Sequence, residues 1–165
     1  MTREHLQFRH AHKEDCDIIL DLLLELSKAT GLPGKVISNR QGIEDALFSE
    51  NSFVHAVVAV AELKPVGLCL YYPIYSSWRG ESGVYILDLY VNSNVRGQGF
   101  GRQMISFVAE DAHRKWQANF MHLDVDKENS SGFSFYQKLG FEHSQEDDKM
   151  VALSSIYATF FKNKK

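Results

Sequence analysis

Three glycines alternate through Arg96-Gly97-Gln98-Gly99-Phe100-Gly101-Arg102, between an apolar run that ends at Val91 and a stretch with helical spacing. A backbone freed of side chains at alternate positions can turn sharply and bring its N–H groups together on one point. At the start of a helix those donors also meet the positive end of the helix dipole, so the chemistry suggested is anion binding. Arg96 and Arg102 bracket the turn with positive charge, which suits a phosphate. Two familiar phosphate motifs are excluded. The glycine spacing lacks the third glycine of the dinucleotide fingerprint, and no Gly-Lys-Ser/Thr follows for a Walker loop. A tight connection whose glycines only relieve strain is the other reading of the turn.

A second chemical feature lies just upstream. Asp88 sits between Ile86 and Tyr90 in an otherwise apolar run, where a carboxylate is costly unless it is paired or functional. Such a group can bind a cation or take a proton from one. His122 and Asp126 fall on the polar face of a later alternating run and could assist it. His5, His10 and His12 invite a metal reading, but no second ligand cluster accompanies them. They read as solvated terminal histidines, and no metal is expected.

The elements that must position these groups follow from apolar spacing. Val84 to Val91 is apolar on both faces, with Tyr85, Leu87, Leu89 and Val91 on one and Val84, Ile86 and Tyr90 on the other, as in a covered central strand. Met104, Ile105, Val108, Ala109, Ala112 and Trp116 then mark one face of a long helix. Before this unit come a short strand around Leu6 and Phe8 and a helix with Ile18, Ile19, Leu22, Leu23 and Leu26 inward, stopping near Thr30-Gly31. The loop from Thr30 to Asn39 is a candidate lid or an ordinary connection. A shorter helix is expected over Arg40 to Phe48, with Ile43, Ala46 and Leu47 inward, then strands over Phe53 to Ala61 and Val66 to Tyr72. Tyr71, Tyr72, Tyr75 and Trp78 form an aromatic cluster, as sheet packing or as a ligand wall. Downstream, Phe120 to Asp126 alternates as a strand, with Met121, Leu123 and Val125 opposite His122, Asp124 and Asp126. A helix follows from Asn129-Ser130-Ser131 to Gly140, then a hairpin over Phe141 to Ser144 and Met150 to Leu153.

At 165 residues the chain reads as one domain, 1–165, with a sizeable core. A net charge of -3 gives no support for a nucleic-acid surface, and no apolar run approaches membrane-spanning length. Two cysteines, Cys16 and Cys69, make no disulfide framework and read as buried thiols of a reducing compartment, so a cytoplasmic protein is expected. Ile156, Tyr157, Phe160 and Phe161 near the C-terminus would form an apolar patch on a monomer, which suggests a homodimer.

Two spaced patterns resemble one family. Arg96, Gly99 and Gly101 match the signature Q/R-x-x-G-x-G/A of the GNAT N-acetyltransferases. Leu123-x-Val125, Asn129, Gly132, Tyr136, Gly140 and Phe141 match that family's L-x-V-x-x-x-N-x-x-A-x-x-x-Y-x-x-x-G-F, with Gly132 where alanine is usual. The stretch Val66-Gly67 to Val91, with Tyr71-Tyr72, Trp78-x-Gly80 and Asp88-x-x-Val91, is similar to the diamine (spermidine/spermine) group. That group carries a glutamate where this chain has Leu87, and a Tyr-Glu pair where it has Thr30-Gly31.

The resemblance implies an α/β GNAT fold, a mostly antiparallel sheet of about seven strands with about four helices. It implies acetyl-coenzyme A as cosubstrate, with its pantetheine arm along Leu89, Tyr90 and Val91 and its pyrophosphate on Arg96 to Arg102 (Gly97, Gln98, Gly99, Phe100 and Gly101 between). Asn129 would lie beside it, and Tyr136 would protonate the departing thiolate. Asp88, His122 and Asp126 are left to the substrate, a small cationic amine such as a diamine, a lysine-like amino acid or an amino drug. Peptide or protein N-acetylation and a non-catalytic acyl-coenzyme A sensor are the alternatives.

Overall fold

The apolar runs become strands of a mixed sheet in a computed structural model of the chain, which describes residues 6–144. These fall into two compact units, 6–129 and 130–144. The first holds β1 (Leu6–His10), α1 (Cys16–Ala29), α2 (Arg40–Phe48), β2 (His55–Ala61), β3 (Lys64–Ser76), β4 (Glu81–Val91), α3 (Phe100–Trp116) and β5 (Phe120–Leu123). The sheet order is β1-β2-β3-β4-β5, antiparallel until β5, which runs parallel to β4. A parallel neighbour cannot be reached by a hairpin, so α3 makes the crossover.

The sheet is covered on both faces. On one, Val57, Cys69, Tyr71, Val84 and Ile86 pack with Met104, Val108 and Ala112 of α3. On the other, Val58, Leu68, Leu70 and Tyr90 pack with Cys16, Ile19 and Leu22 of α1 and Ile43 of α2. Both cysteines are free and buried. No helix among the described residues is long and apolar enough to cross a membrane.

The helix bounds agree with the spacing, but several strand expectations are corrected. The sheet has five strands among the described residues rather than about seven. Phe141 to Ser144 is not a strand, and Met150 to Leu153 lies outside the described residues, as do His5 and the Ile156 to Phe161 patch. β3 and β4 run far past their expected ends because they pair with each other as far as Ser76 and Glu81. Pro73 is tolerated because β2 ends opposite Tyr71, so β3 there has a neighbour on one side only. Phe53 precedes β2 and is exposed, and Ala46 faces solvent rather than the core.

The histidine expectation also changes. His10 is no freely solvated terminal residue: its Nε2 lies 3.2 Å from Asp111 on α3, a carboxylate only 3% exposed. Tyr71 Oη donates to the same group at 2.7 Å, and Arg114 and Lys115 approach within 2.8 and 2.9 Å. Burial alone would raise the Asp111 carboxyl, but bonds from Lys115, Tyr71 and Arg114 outweigh it and hold the group below its usual range. Asp111 therefore supports the fold at pH above the ordinary carboxylate range, and that support is lost as pH falls through its depressed value. Asp111→Ala strands the partners and should cost about 3–5 kcal/mol in urea unfolding, against about 1 kcal/mol for Tyr71→Phe. Equal and small losses would show that the network contributes little.

Candidate active site

The strand that carries Asp88 does not alternate uniformly. Leu70 pairs with Asp88 but Tyr71 pairs with Ile86, so Leu87 is an extra residue bulged out of β4. One inserted residue reverses the faces beyond it. Val84 and Ile86 face α3 before the bulge, whereas Leu89 and Val91 do so after it. The expectation that Ile86 and Tyr90 share a face is thereby overturned. Asp88 lies opposite Leu70, on the side of α1 and α2, in line with Tyr90. Leu87 is left 48% exposed.

Asp88 is half-buried and has no hydrogen-bond or ion-pair partner among the described residues. Burial alone pushes its carboxyl above the usual range. Its charge adds to the burial that raises the Cys69 thiol. A carboxylate in this state can take a proton or bind a cation.

Immediately past Asp88 the sheet opens. The pairing of β4 with β5 ends at Ile86 and Leu123, so Leu89 to Val91 have β3 on one side and no strand on the other among the described residues. Their peptide groups on that side are available to an extended ligand. The chain then makes a single 3-10 turn over Ser93–Val95, where the Asn92 side chain accepts from Asn94 N–H at 3.0 Å. Arg96 Nε donates to the Val91 carbonyl at 2.8 Å, and its guanidinium sits 5.8 Å from the Tyr90 ring centre. The arginine thus ties the turn to the strand end while its terminal nitrogens are left for other acceptors.

Gly97 and Gly99 adopt φ of +79° and +81°, a region that favours glycine, and Gly99 is the N-cap of α3. Phe100 is buried and anchors the helix start. Gln103 N–H is the first of the helix to find an acceptor, the Gly99 carbonyl at 3.1 Å. The N–H groups from Gly97 through Arg102 have no acceptor among the described residues. Open donors at a helix start, with Arg96 and Arg102 beside them, can hold a diphosphate.

The other expected site residues are placed less uniformly. His122 is on β5 opposite Tyr85, exposed, with its ring 5.0 Å from Phe120. β5 ends at Leu123, so Asp126 is off the strand, and its Oδ1 accepts from Glu128 N–H at 2.9 Å in a turn. Asn129 N–H donates to the Asp126 carbonyl. Tyr136 belongs to the second unit, on α4 (Ser130–Lys138), with its ring 5.1 Å from Phe135 and 5.5 Å from Phe141. Gly140, at φ +95°, ends that helix. Of the aromatic cluster, Tyr71 faces α3 and Trp78 is fully exposed at a hairpin tip. Tyr72 instead stacks on Tyr85 at 5.1 Å, with Phe53 edge-on to Tyr72 at 5.8 Å. The sequence reading left Phe53 and Tyr85 out of this cluster, because only tertiary contacts bring them to Tyr72.

The chain is similar to known proteins over most of its length. Residues 20–141 match the model of the Acetyltransferase (GNAT) family. A mouse thialysine N-epsilon-acetyltransferase is 34% identical over 150 residues, covering 86% of this chain and 87% of that protein. A human spermidine/spermine N(1)-acetyltransferase-like protein 1 is 28% identical over 146 residues, 84% of this chain but 21% of that longer protein. Among solved structures, an integron cassette protein from the mobile metagenome of V. cholerae superposes with a TM-score of 0.76. It covers 94% of this chain and 96% of its own at 21% identity, a likeness of fold. The extent of these matches shows that the chain belongs to the GNAT family as an N-acetyltransferase.

Proposed function

We propose that the protein transfers the acetyl group of acetyl-coenzyme A to a primary amine of a small cationic molecule. The observation that carries this reading is Asp88, a half-buried carboxylate at a bulge with no partner among the described residues, one residue before the opened backbone of Leu89 to Val91. An ammonium drawn to Asp88 would lose its proton there, because burial has raised the affinity of the carboxylate for one. The free amine then faces a thioester aligned along Leu89 to Val91, whose N–H groups polarise the carbonyl as it gains charge. The turn from Gly97 to Arg102 holds the pyrophosphate. Such alignment alone contributes about 7–11 kcal/mol in well-oriented model reactions. The names of the mouse and human relatives, which specify thialysine and spermidine/spermine nitrogens, support an amine acceptor.

Tyr136 is the proposed proton donor to the leaving thiolate, on the strength of its place in the family pattern. A phenol of pKa about 10 can protonate a thiolate of about 8.5. Tyr136→Phe keeps the ring contacts and removes the hydroxyl. Turnover should fall roughly tenfold to a hundredfold while coenzyme A affinity, measured by calorimetry, stays within about twofold. Unchanged turnover would remove Tyr136 from the chemistry. No turnover by the parent protein on any amine, with coenzyme A bound, would instead favour an acyl-coenzyme A sensor.

A further inference from the structure

The face of the sheet that carries Asp88 continues past the cover of α1 and α2 into an aromatic shelf. Leu68, Leu70 and Tyr72 alternate onto one side of β3, and Asp88 lies opposite Leu70. Leu68 and Leu70 are buried beneath α1 and α2, whereas Tyr72 is only half-buried and belongs to neither core cluster. Its cross-strand partner Tyr85 is half-buried too, on the face opposite Ile86, which packs under α3. The two rings stack at 5.1 Å between centres and 26° between planes. β2 begins at His55 opposite Tyr71, so Phe53 precedes the pairing. Its ring stands edge-on to Tyr72 at 5.8 Å, and the residue is still 61% exposed. A stacked cross-strand pair by itself stabilises a hairpin. It does not account for a third ring, from off the strand, that leaves most of its apolar surface in solvent.

Resting on the acceptor reading above, we infer that Phe53, Tyr72 and Tyr85 form a specificity-determining subsite that receives the carbon chain of the amine substrate, with the reacting nitrogen at Asp88. The pair of Tyr72 with Tyr85 lies two residues along β3 from the pair of Leu70 with Asp88, so the shelf begins about 7 Å from the carboxylate. An unbranched chain of about five carbons crosses that distance and ends over the rings. Leu87, 48% exposed between Tyr85 and Asp88 in the chain, adds apolar surface and no charge. Rings of this size gain by covering methylenes, and the methylenes gain by leaving water. Primary amines on long apolar chains are thereby selected over short ones.

The test compares hexylamine with ethylamine, which carry one ammonium each and differ only in the chain. A methylene covered on one side should contribute about twofold, so the wild-type protein should favour hexylamine by about tenfold or more in kcat/KM. Tyr72→Ala should bring that ratio toward one through the hexylamine KM, with ethylamine kcat/KM held within about twofold. Tyr72→Phe keeps the ring and should keep the ratio, and Phe53→Ala should lower it by less than Tyr72→Ala. Trp78→Ala, which removes a fully exposed aromatic at the hairpin tip, controls for general hydrophobicity and should leave the ratio at the wild-type value. A wild-type ratio near one, or a ratio that survives in both Tyr72→Ala and Phe53→Ala, would overturn the subsite and leave the acceptor reading standing. Should Tyr72→Ala fail to fold, Phe53→Ala, altered outside every strand, decides alone. If neither amine is acetylated although coenzyme A binds, the acceptor reading fails and this inference fails with it.

Discussion

Asp88→Asn should lower kcat/KM for amine acetylation by at least about a hundredfold and should also raise the melting temperature. The two effects have one cause. Burial raises the carboxyl above its usual range. An acid whose folded pKa exceeds its unfolded one favours the fold while protonated. That contribution is complete below the unfolded value and is lost as pH rises through the folded one. At neutral pH the ionised Asp88 therefore weighs against folding. Asparagine keeps the shape and removes the charge, a gain of about 1 kcal/mol, or about 2–4 °C in a chain of this size. In kinetics the sign is opposite. The basic form accumulates as pH rises, so kcat/KM should climb along an acid limb centred above the usual carboxylate range, and Asp88→Asn should lack that limb. A variant that lost stability along with activity would show instead that Asp88 holds the fold together.

What the sequence made legible here is what depends on local periodicity. α2 begins at Arg40 and ends at Phe48 as spacing and caps suggest, with the Asn39 side chain accepting from Gly42 N–H at 2.9 Å. The glycine turn was legible too, because left-handed backbone at Gly97 and Gly99 leaves a compositional trace. The faces of β4 were not. A period of two carries no mark where one residue is inserted, and only pairing with β3 shows that Leu87 bulges. The same limit hid the shelf: Phe53, Tyr72 and Tyr85 come from separate places in the chain. Asp111 was hidden for a related reason. It sits on a helix whose apolar stripe is otherwise regular, and its partners Tyr71 and His10 come from distant strands.

The turn offers the other large effect, in the opposite kinetic term. Gly99→Val should raise the KM for acetyl-coenzyme A by about a hundredfold or more, leave the amine KM unchanged, and lower kcat at saturation only a few-fold. The nearest atom to a Cβ at Gly99 is Gln103 Nε2 at 3.8 Å, so the fold itself has room for a side chain. What valine meets is the backbone: φ of +81° costs an L-residue about 1–2 kcal/mol, and a β-branched one tolerates it worst. Relief of that strain rotates the peptide groups on either side, and with them the open N–H donors that precede Gln103. A hydrogen bond to a charged oxygen is worth about 1.5–3 kcal/mol, so misdirecting two of them costs about 3–6 kcal/mol, or a hundredfold to ten-thousandfold in affinity. Because those bonds hold the cosubstrate equally before and during reaction, their loss falls on KM rather than kcat. Initial rates at varied acetyl-coenzyme A, with calorimetric titration of coenzyme A, separate the outcomes. A turn that only connects β4 to α3 would lose stability on this substitution and keep its affinity for coenzyme A, and the pyrophosphate seat would then have to lie elsewhere.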